Sequence, residues 1–326
     1  MKNSINYYYD IYIDEIHKTR DYYYFYLNNH EYHLKVYDRP EEEINYLFSL
    51  NEEMIKRNIL VHKIIKNINN SPVTLIDGKF FVLLELCDYK NDKVLLNDLK
   101  YYNNFTSNLN NKNLFRNDWI YLWSSKIDYY EYQISELGRK YKLLTDSLSY
   151  YIGLSENAIS YLNNNNVSNN SFIVSHKRIN INGGSNDFYN PLNFIVDNKI
   201  RDISEYIKES FFNNDLNIYE VKEYLDSIII DKSEYILLFS RLLFPSYYFD
   251  IYDEIINNNL PEETIISIIE KNNAYEAFLR NIYKYIRYEK NTFIEPIEWL
   301  IRWFKVLVLR IILLEVQQLL LLQPYL

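Results

Sequence analysis

A chain of 326 residues with 48% apolar side chains can bury a large core or two lobes, which sets it apart from a disordered polypeptide. Its formal net charge of −9 offers no basic field to a phosphate backbone and disfavours general nucleic-acid binding, local basic patches aside. The single cysteine, Cys87, cannot form an intramolecular disulfide, and within the apolar run from Phe80 it reads as a small buried hydrophobe rather than a reactive thiol.

The first ten residues hold no apolar stretch long enough for a secretory signal, so synthesis and retention in the cytosol are expected. Residues 5–37 read as strands: Tyr, Ile and Phe dominate, and Asn28-Asn29 breaks the run Tyr22–Tyr37 as a hairpin turn would. Asp38 and Pro40 then open a helix with Glu41, Glu42 and Glu43 in its first turn and Ile44, Leu47, Phe48 and Ile55 along one face. Two more strands are expected over Val73–Glu85, joined at the turn pair Asp77-Gly78, with the polar stretch Asp88–Lys93 as a hinge. Strands, helix, strands, hinge is the order of a kinase N-lobe, here residues 1–90.

Beyond the hinge, residues 91–326 turn helical: Trp119–Leu137, Lys142–Leu162, Ile203–Phe212, Val221–Ile230, Ser233–Leu243 and the final third. Asn-rich breaks at 103–113, 163–170, 213–214 and 257–259 read as solvated loops. The expected fold class is α+β and bilobal, with a small antiparallel-sheet lobe and a larger, mainly α-helical one. Val306–Leu322 is very apolar, but Arg310 and Glu315 interrupt it, each at about 2.5–3.5 kcal/mol on the insertion scale. A buried or partner-covered helix is therefore expected there rather than a membrane span. The 35 tyrosines accompany abundant Asn, Ile and Lys, the mark of an AT-rich genome, with crosslinkable phenols as the alternative.

A kinase-type phosphotransferase needs a tight loop over the phosphates, a strand lysine paired with a helix glutamate, an aspartate base, and an Asn and an Asp for magnesium. Lys35 stands where the strand lysine belongs and Glu43 is the best-placed partner; the plain alternative is a surface lysine and a helix start favoured by the dipole. None of the five glycines lies in the first hairpin, which weakens nucleotide binding without excluding it. The stretch Phe172–Ile179 contains His176-Lys177-Arg178, and Arg178 stands where the catalytic aspartate would. A guanidinium stays protonated and cannot act as the base, a loss of roughly 10²- to 10⁴-fold. Asp187 is the one remaining carboxylate in the loop that could substitute. Asn180, Asn182 and Asn193 are only loosely placed for magnesium, and Gly183-Gly184 suggests a turn. Asp197 is the best metal-binding aspartate, though an ion pair is the stronger reading, with Asp197 or Asp202 expected within salt-bridge distance of Arg178. His176 reads as a packing residue beneath the loop. The remaining histidines form no strong metal pattern, and no Ser-His-Asp set, P-loop or zinc motif is present.

Several segments together resemble a known family: Tyr150–Tyr161, Ser175–Ile179, Arg201–Lys208, Arg241–Asp250 and Glu295–Leu300. They resemble the YutH group of spore coat proteins, within the wider CotS-like kinase-fold proteins of spore-forming bacteria. The resemblance runs to about residue 305 and leaves Val306–Leu326 unplaced. It implies an aminoglycoside-phosphotransferase-like fold, a place in the spore coat after synthesis in the cytosol, and other coat proteins as partners. It also implies that Asp202 braces the cleft and that Asp197 is the metal position. The departure at Arg178 puts catalysis in doubt, so the expectation is a pseudokinase without a cofactor. The alternative is an active ATP- and Mg²⁺-dependent phosphotransferase acting on a small molecule or a coat protein.

Overall fold

The computed structural model describes residues 1–103, 112–165, 167, 172–258 and 260–300. The apolar stretch Val306–Leu322 lies outside them, as does most of the break at 103–113. The chain divides into two compact units, Met1–Leu122 with Ser168–Ile228, and Trp123–Val167 with Ile229–Leu326.

The first unit carries an antiparallel sheet of β1 (His17–Lys18), β2 (Tyr22–Leu27), β3 (His30–Val36), β4 (Lys63–Ile65), β5 (Thr74–Ile76) and β6 (Lys79–Glu85), in the order β1-β2-β3-β6-β4, with β5 also on β6. Both expected tight turns are present. Asn28 and Asn29 at φ 50° and 66° join β2 to β3, and Asp77 and Gly78 at φ 50° and 76° join β5 to β6, the twist a two-residue hairpin requires.

The segment before β1 departs from expectation. Residues Lys2–Tyr9 form a helix, α1, rather than a strand. Ile5 and Tyr9, one helical turn apart, join Ile13 against Phe25, Leu34, Phe81 and Leu83 on one face of the sheet. Burial of this i, i+4 pair outweighs the strand preference of Ile and Tyr.

Helix α2 (Glu41–Lys56) begins after Pro40 as expected and buries Ile44, Leu47, Leu50 and Met54. Its Asn51 is fully buried; its amide donates to the His62 carbonyl at 2.7 Å and its oxygen accepts from Ile64 N at 2.9 Å, fixing β4. After β6, residues 86–95 form an irregular linker into α3 (Leu96–Asn103). A short antiparallel pair follows, β7 (Phe172–His176) with β8 (Phe194–Asn198), and between its strands lies a helical segment, α6 (Gly184–Phe188). Helices α7 (Ile200–Phe212) and α8 (Ile218–Ser227) complete this unit.

Helix α4 (Trp119–Leu137) starts in the first unit and continues into the second, which is built from it with α5 (Lys142–Asn164), α9 (Lys232–Leu243), α10 (Ser246–Asn258), α11 (Ile266–Ile269) and α12 (Asn272–Lys284). Its core is aromatic. Tyr151 stacks on Tyr248 at 3.6 Å and Tyr130 on Phe249 at 4.5 Å, so these tyrosines serve as packing groups whatever set their number.

Candidate functional site

The residues singled out from sequence all lie in the first unit. β7 ends at His176, which is fully buried, and its ring is held at both nitrogens: Nδ1 lies 2.6 Å from Asp202 Oδ2 and Nε2 is 2.8 Å from the Phe188 carbonyl. A carbonyl only accepts, so Nε2 carries a hydrogen. The ring also stacks on Phe188 at 4.4 Å. Asp202, in the first turn of α7, accepts from the His176 backbone N–H at 3.0 Å as well. Both residues brace the end of β7.

Two positions on, Arg178 is exposed. Its backbone N–H donates to Asn193 Oδ1 at 3.1 Å, Asn193 Nδ2 donates back to the Arg178 carbonyl at 2.7 Å, and its own Nη1 donates to the Lys177 carbonyl at 3.1 Å. Asn193 thus ties the start of the β7–β8 connection to its end.

Asp197, near the end of β8, is completely buried and strongly engaged. Trp119 Nε1 donates to both of its oxygens at 3.0 Å, Asn198 N to Oδ1 at 2.7 Å, and Arg201 Nη1 to Oδ2 at 2.8 Å. Arg201 also donates from Nε to the His176 carbonyl at 3.0 Å. Arg201, one turn along α7, is thus an ion-pair partner of Asp197, and Asp202 bonds His176. These residues do not fit a magnesium site. At an effective dielectric of 20, a dication about 4 Å from both groups would gain from the Asp197 carboxylate about what it loses to the Arg201 guanidinium, roughly 8 kcal/mol each, so the pair offers it no net attraction. Of the three asparagines considered for magnesium, Asn193 is committed to the backbone of Arg178, and Asn180 bonds Gly183 N and Asp187.

Lys35 points from β3 toward α6. Its Nζ lies 3.8 Å from Asp187 Oδ1 and 5.2 Å from the Tyr22 ring centroid. Burial lowers its pKa, and the charges of Asp187 and Asp21 oppose that shift. Glu43 is not its partner. That carboxylate is buried and clamped by Arg39 Nη2 at 2.6 Å and Arg116 Nη2 at 2.8 Å, and Arg39 Nη1 continues to the carbonyls of Leu192 and Phe194 at 2.8 and 2.7 Å. Lysine and glutamate are held apart because two guanidiniums satisfy Glu43 more completely than one ammonium would. Asp187 is half-exposed, and its Oδ2 accepts from Asn180 Nδ2 at 3.2 Å.

The linker after β6 is engaged on two sides. Cys87 N donates to His62 Nδ1 at 3.2 Å. From the β7–β8 connection, Ser185 N donates to the Asn91 carbonyl at 2.8 Å, Asn91 N to Ser185 Oγ at 3.1 Å, and Val94 N to the Ile181 carbonyl at 2.9 Å. Sequence reasoning missed Arg201, Arg39 and Ser185. Two of them carried a signal, since Arg39–Glu43 and Asp197–Arg201 are both spaced i, i+4.

The family model described as "Spore coat putative kinase YutH" matches residues 2–282 of this chain. The chain belongs to this family. A curated relative is the endospore coat-associated protein YutH of Bacillus subtilis (strain 168), 27% identical over 56% of this chain, and the match spans 61% of that protein's length. Among solved structures, an aminoglycoside phosphotransferase from Alicyclobacillus acidocaldarius superposes with a TM-score of 0.60 at 13% identity, covering 87% of this chain and 96% of that one. A spectinomycin phosphotransferase solved with ADP and spectinomycin gives 0.54 at 11% identity, covering 82% of this chain and 92% of that one. At these identities the likeness is one of fold, and it establishes the expected α+β, aminoglycoside-phosphotransferase-like architecture.

Proposed function

We propose that this protein is a non-catalytic member of the spore coat, made in the cytosol and then assembled with other coat proteins, that uses a phosphotransferase fold as a binding scaffold. The observation that carries the reading is the buried pair Asp197–Arg201. The carboxylate that would hold magnesium is neutralised from within at 2.8 Å, while Arg178 stands in the place of the base. The coat itself is inferred from family membership and from the name of the Bacillus subtilis relative. Residues 1–90 and 91–326 would be the smaller and larger lobes, with Lys35 and Glu43 as remnants of a nucleotide-binding pair and Asp197 of the metal position.

The rival reading keeps ATP and Mg²⁺ as cofactors and takes Asp187 as a substitute base. The placement of Asp187 against Lys35 weighs against it, because a base belongs beside the acceptor hydroxyl and not on the lysine that would hold phosphate. The test is transfer of radiolabelled γ-phosphate from ATP with Mg²⁺ to coat extract, comparing the native protein with Asp197→Asn. Equal background from both is expected. Transfer that disappears in the variant would establish an enzyme. A fluorescent fusion followed through sporulation checks the location, and retention in the mother-cell cytosol would reject it.

A further inference from the structure

Kinase-type clefts hold a nucleotide between the lysine of the third strand and the linker that follows the sheet. In this chain both walls are already in contact with one segment of the chain itself. The connection from β7 to β8 docks Asp187 beside Lys35 at 3.8 Å and, through Ser185 and Ile181, makes three hydrogen bonds with linker residues Asn91 and Val94, two of them between backbones and one to the Ser185 hydroxyl. At its far end the Tyr189 carbonyl accepts from His62 N at 2.9 Å, on the approach to β4. The segment is also internally built: Asn180 caps its first turn by accepting from Gly183 N at 3.1 Å and donates to Asp187 Oδ2 at 3.2 Å.

Gly184 shows that this docking is a close fit. It has φ +56°, and a Cβ there would lie 2.1 Å from the Asn91 carbonyl oxygen and 2.9 Å from the Asp92 carbonyl carbon. Only glycine supplies both the left-handed backbone and the approach of one main chain to another. Gly183-Gly184, which reads as a simple turn in the sequence, is the seam where the segment meets the linker.

We propose that residues Asn180–Asn190 are a built-in occupant of the nucleotide cleft, docked on Lys35 and the linker, so that a nucleoside diphosphate or triphosphate binds only when this segment is displaced. The proposal rests on the phosphotransferase-derived reading of the fold but asks a different question from catalysis. It concerns whether the cleft is blocked, and a metal is not required for the answer. Apparent affinity falls in proportion to the fraction of molecules whose cleft is open. Destabilising the docked state therefore raises nucleotide affinity, whereas damage to an ordinary site lowers it.

The experiment is a titration of the full-length protein with a fluorescent ADP analogue in the absence of divalent metal. It compares the native protein, Asp187→Ala, and Gly184→Ala/Asp187→Ala, each checked for native circular dichroism. The expected result is affinity rising stepwise by about tenfold or more across the series, with the gain removed when Lys35→Ala is added. Equal affinity in all three proteins, or folded variants that gain nothing, overturns the proposal. Should the double variant fail to fold, hydrogen exchange on the native protein decides: saturating ADP must speed exchange at the Ser185 and Val94 amides, and unchanged or slower exchange refutes displacement. Phosphate transfer by the native protein would overturn the non-catalytic reading and leave this one standing, whereas an absent affinity gain does the reverse.

Discussion

Replacing Arg201 by methionine keeps most of the side-chain stem and removes the charge that compensates Asp197. The two groups are 9% and 0% exposed and 2.8 Å apart, so the carboxylate would be left buried opposite an apolar side chain. Breaking one half of such a pair costs about 3–5 kcal/mol, and the lost bond from Arg201 Nε to the His176 carbonyl adds roughly 1 kcal/mol. Against a total stability of about 5–15 kcal/mol this is a large fraction. With a urea slope near 3 kcal/mol/M, the unfolding midpoint should fall by roughly 1–2 M. Arg201→Met/Asp197→Asn should recover at least half of the loss, because the carboxylate charge that Arg201 met is gone while Trp119 still has an oxygen to bond. A single variant costing under about 1 kcal/mol, or a double variant no better than the single, would show that Asp197 does not depend on Arg201.

Other outcomes follow from features of the first unit. Asn51→Ala strands the His62 carbonyl and the Ile64 N–H inside the fold and should cost about 2–3 kcal/mol by urea denaturation, against well under 1 for an exposed asparagine. Gly78→Ala meets no atom within 4 Å, so only its φ of +76° opposes it; a loss of about 1 kcal/mol is expected, and a gain would contradict the turn geometry. His62 is pushed down to about 3, chiefly by burial and then by the charges of Lys35 and His33. Below its unfolded value of about 6.5 the unfolded chain binds a proton that the folded chain refuses, so stability falls as pH falls over the window from 6.5 to 3. Between pH 7 and 5 this amounts to about 2 kcal/mol, and His62→Gln should flatten that part of the profile. An unchanged slope would place the acid sensitivity elsewhere.

Local chemistry made most of the sheet readable. Asn28-Asn29 and Asp77-Gly78 fix their turns through the backbone, and Pro40 with three glutamates marks the start of α2 without reference to anything distant. Helix α1 was not readable from composition, since Tyr and Ile favour strands and only the Ile5–Tyr9 spacing told against it. The site was readable in its residue types and not in its pairings. Glu43 was a sound choice for a buried helix carboxylate, yet its partner depended on Arg116, 73 positions away, and on Arg39 reaching the Leu192 and Phe194 carbonyls. The docking of Ser185 on Asn91 joins residues 94 apart, and no periodicity reports such a contact.

The lone cysteine gives the molecule its own reporter. Cys87 sits half-buried in the linker with its N–H on His62, and burial raises its thiol pKa, so the reactive thiolate is scarce while the linker stays closed. With no second thiol to compete, the rate at which a maleimide couples to the native chain reports how far the linker exposes Cys87, and it does so without any substitution.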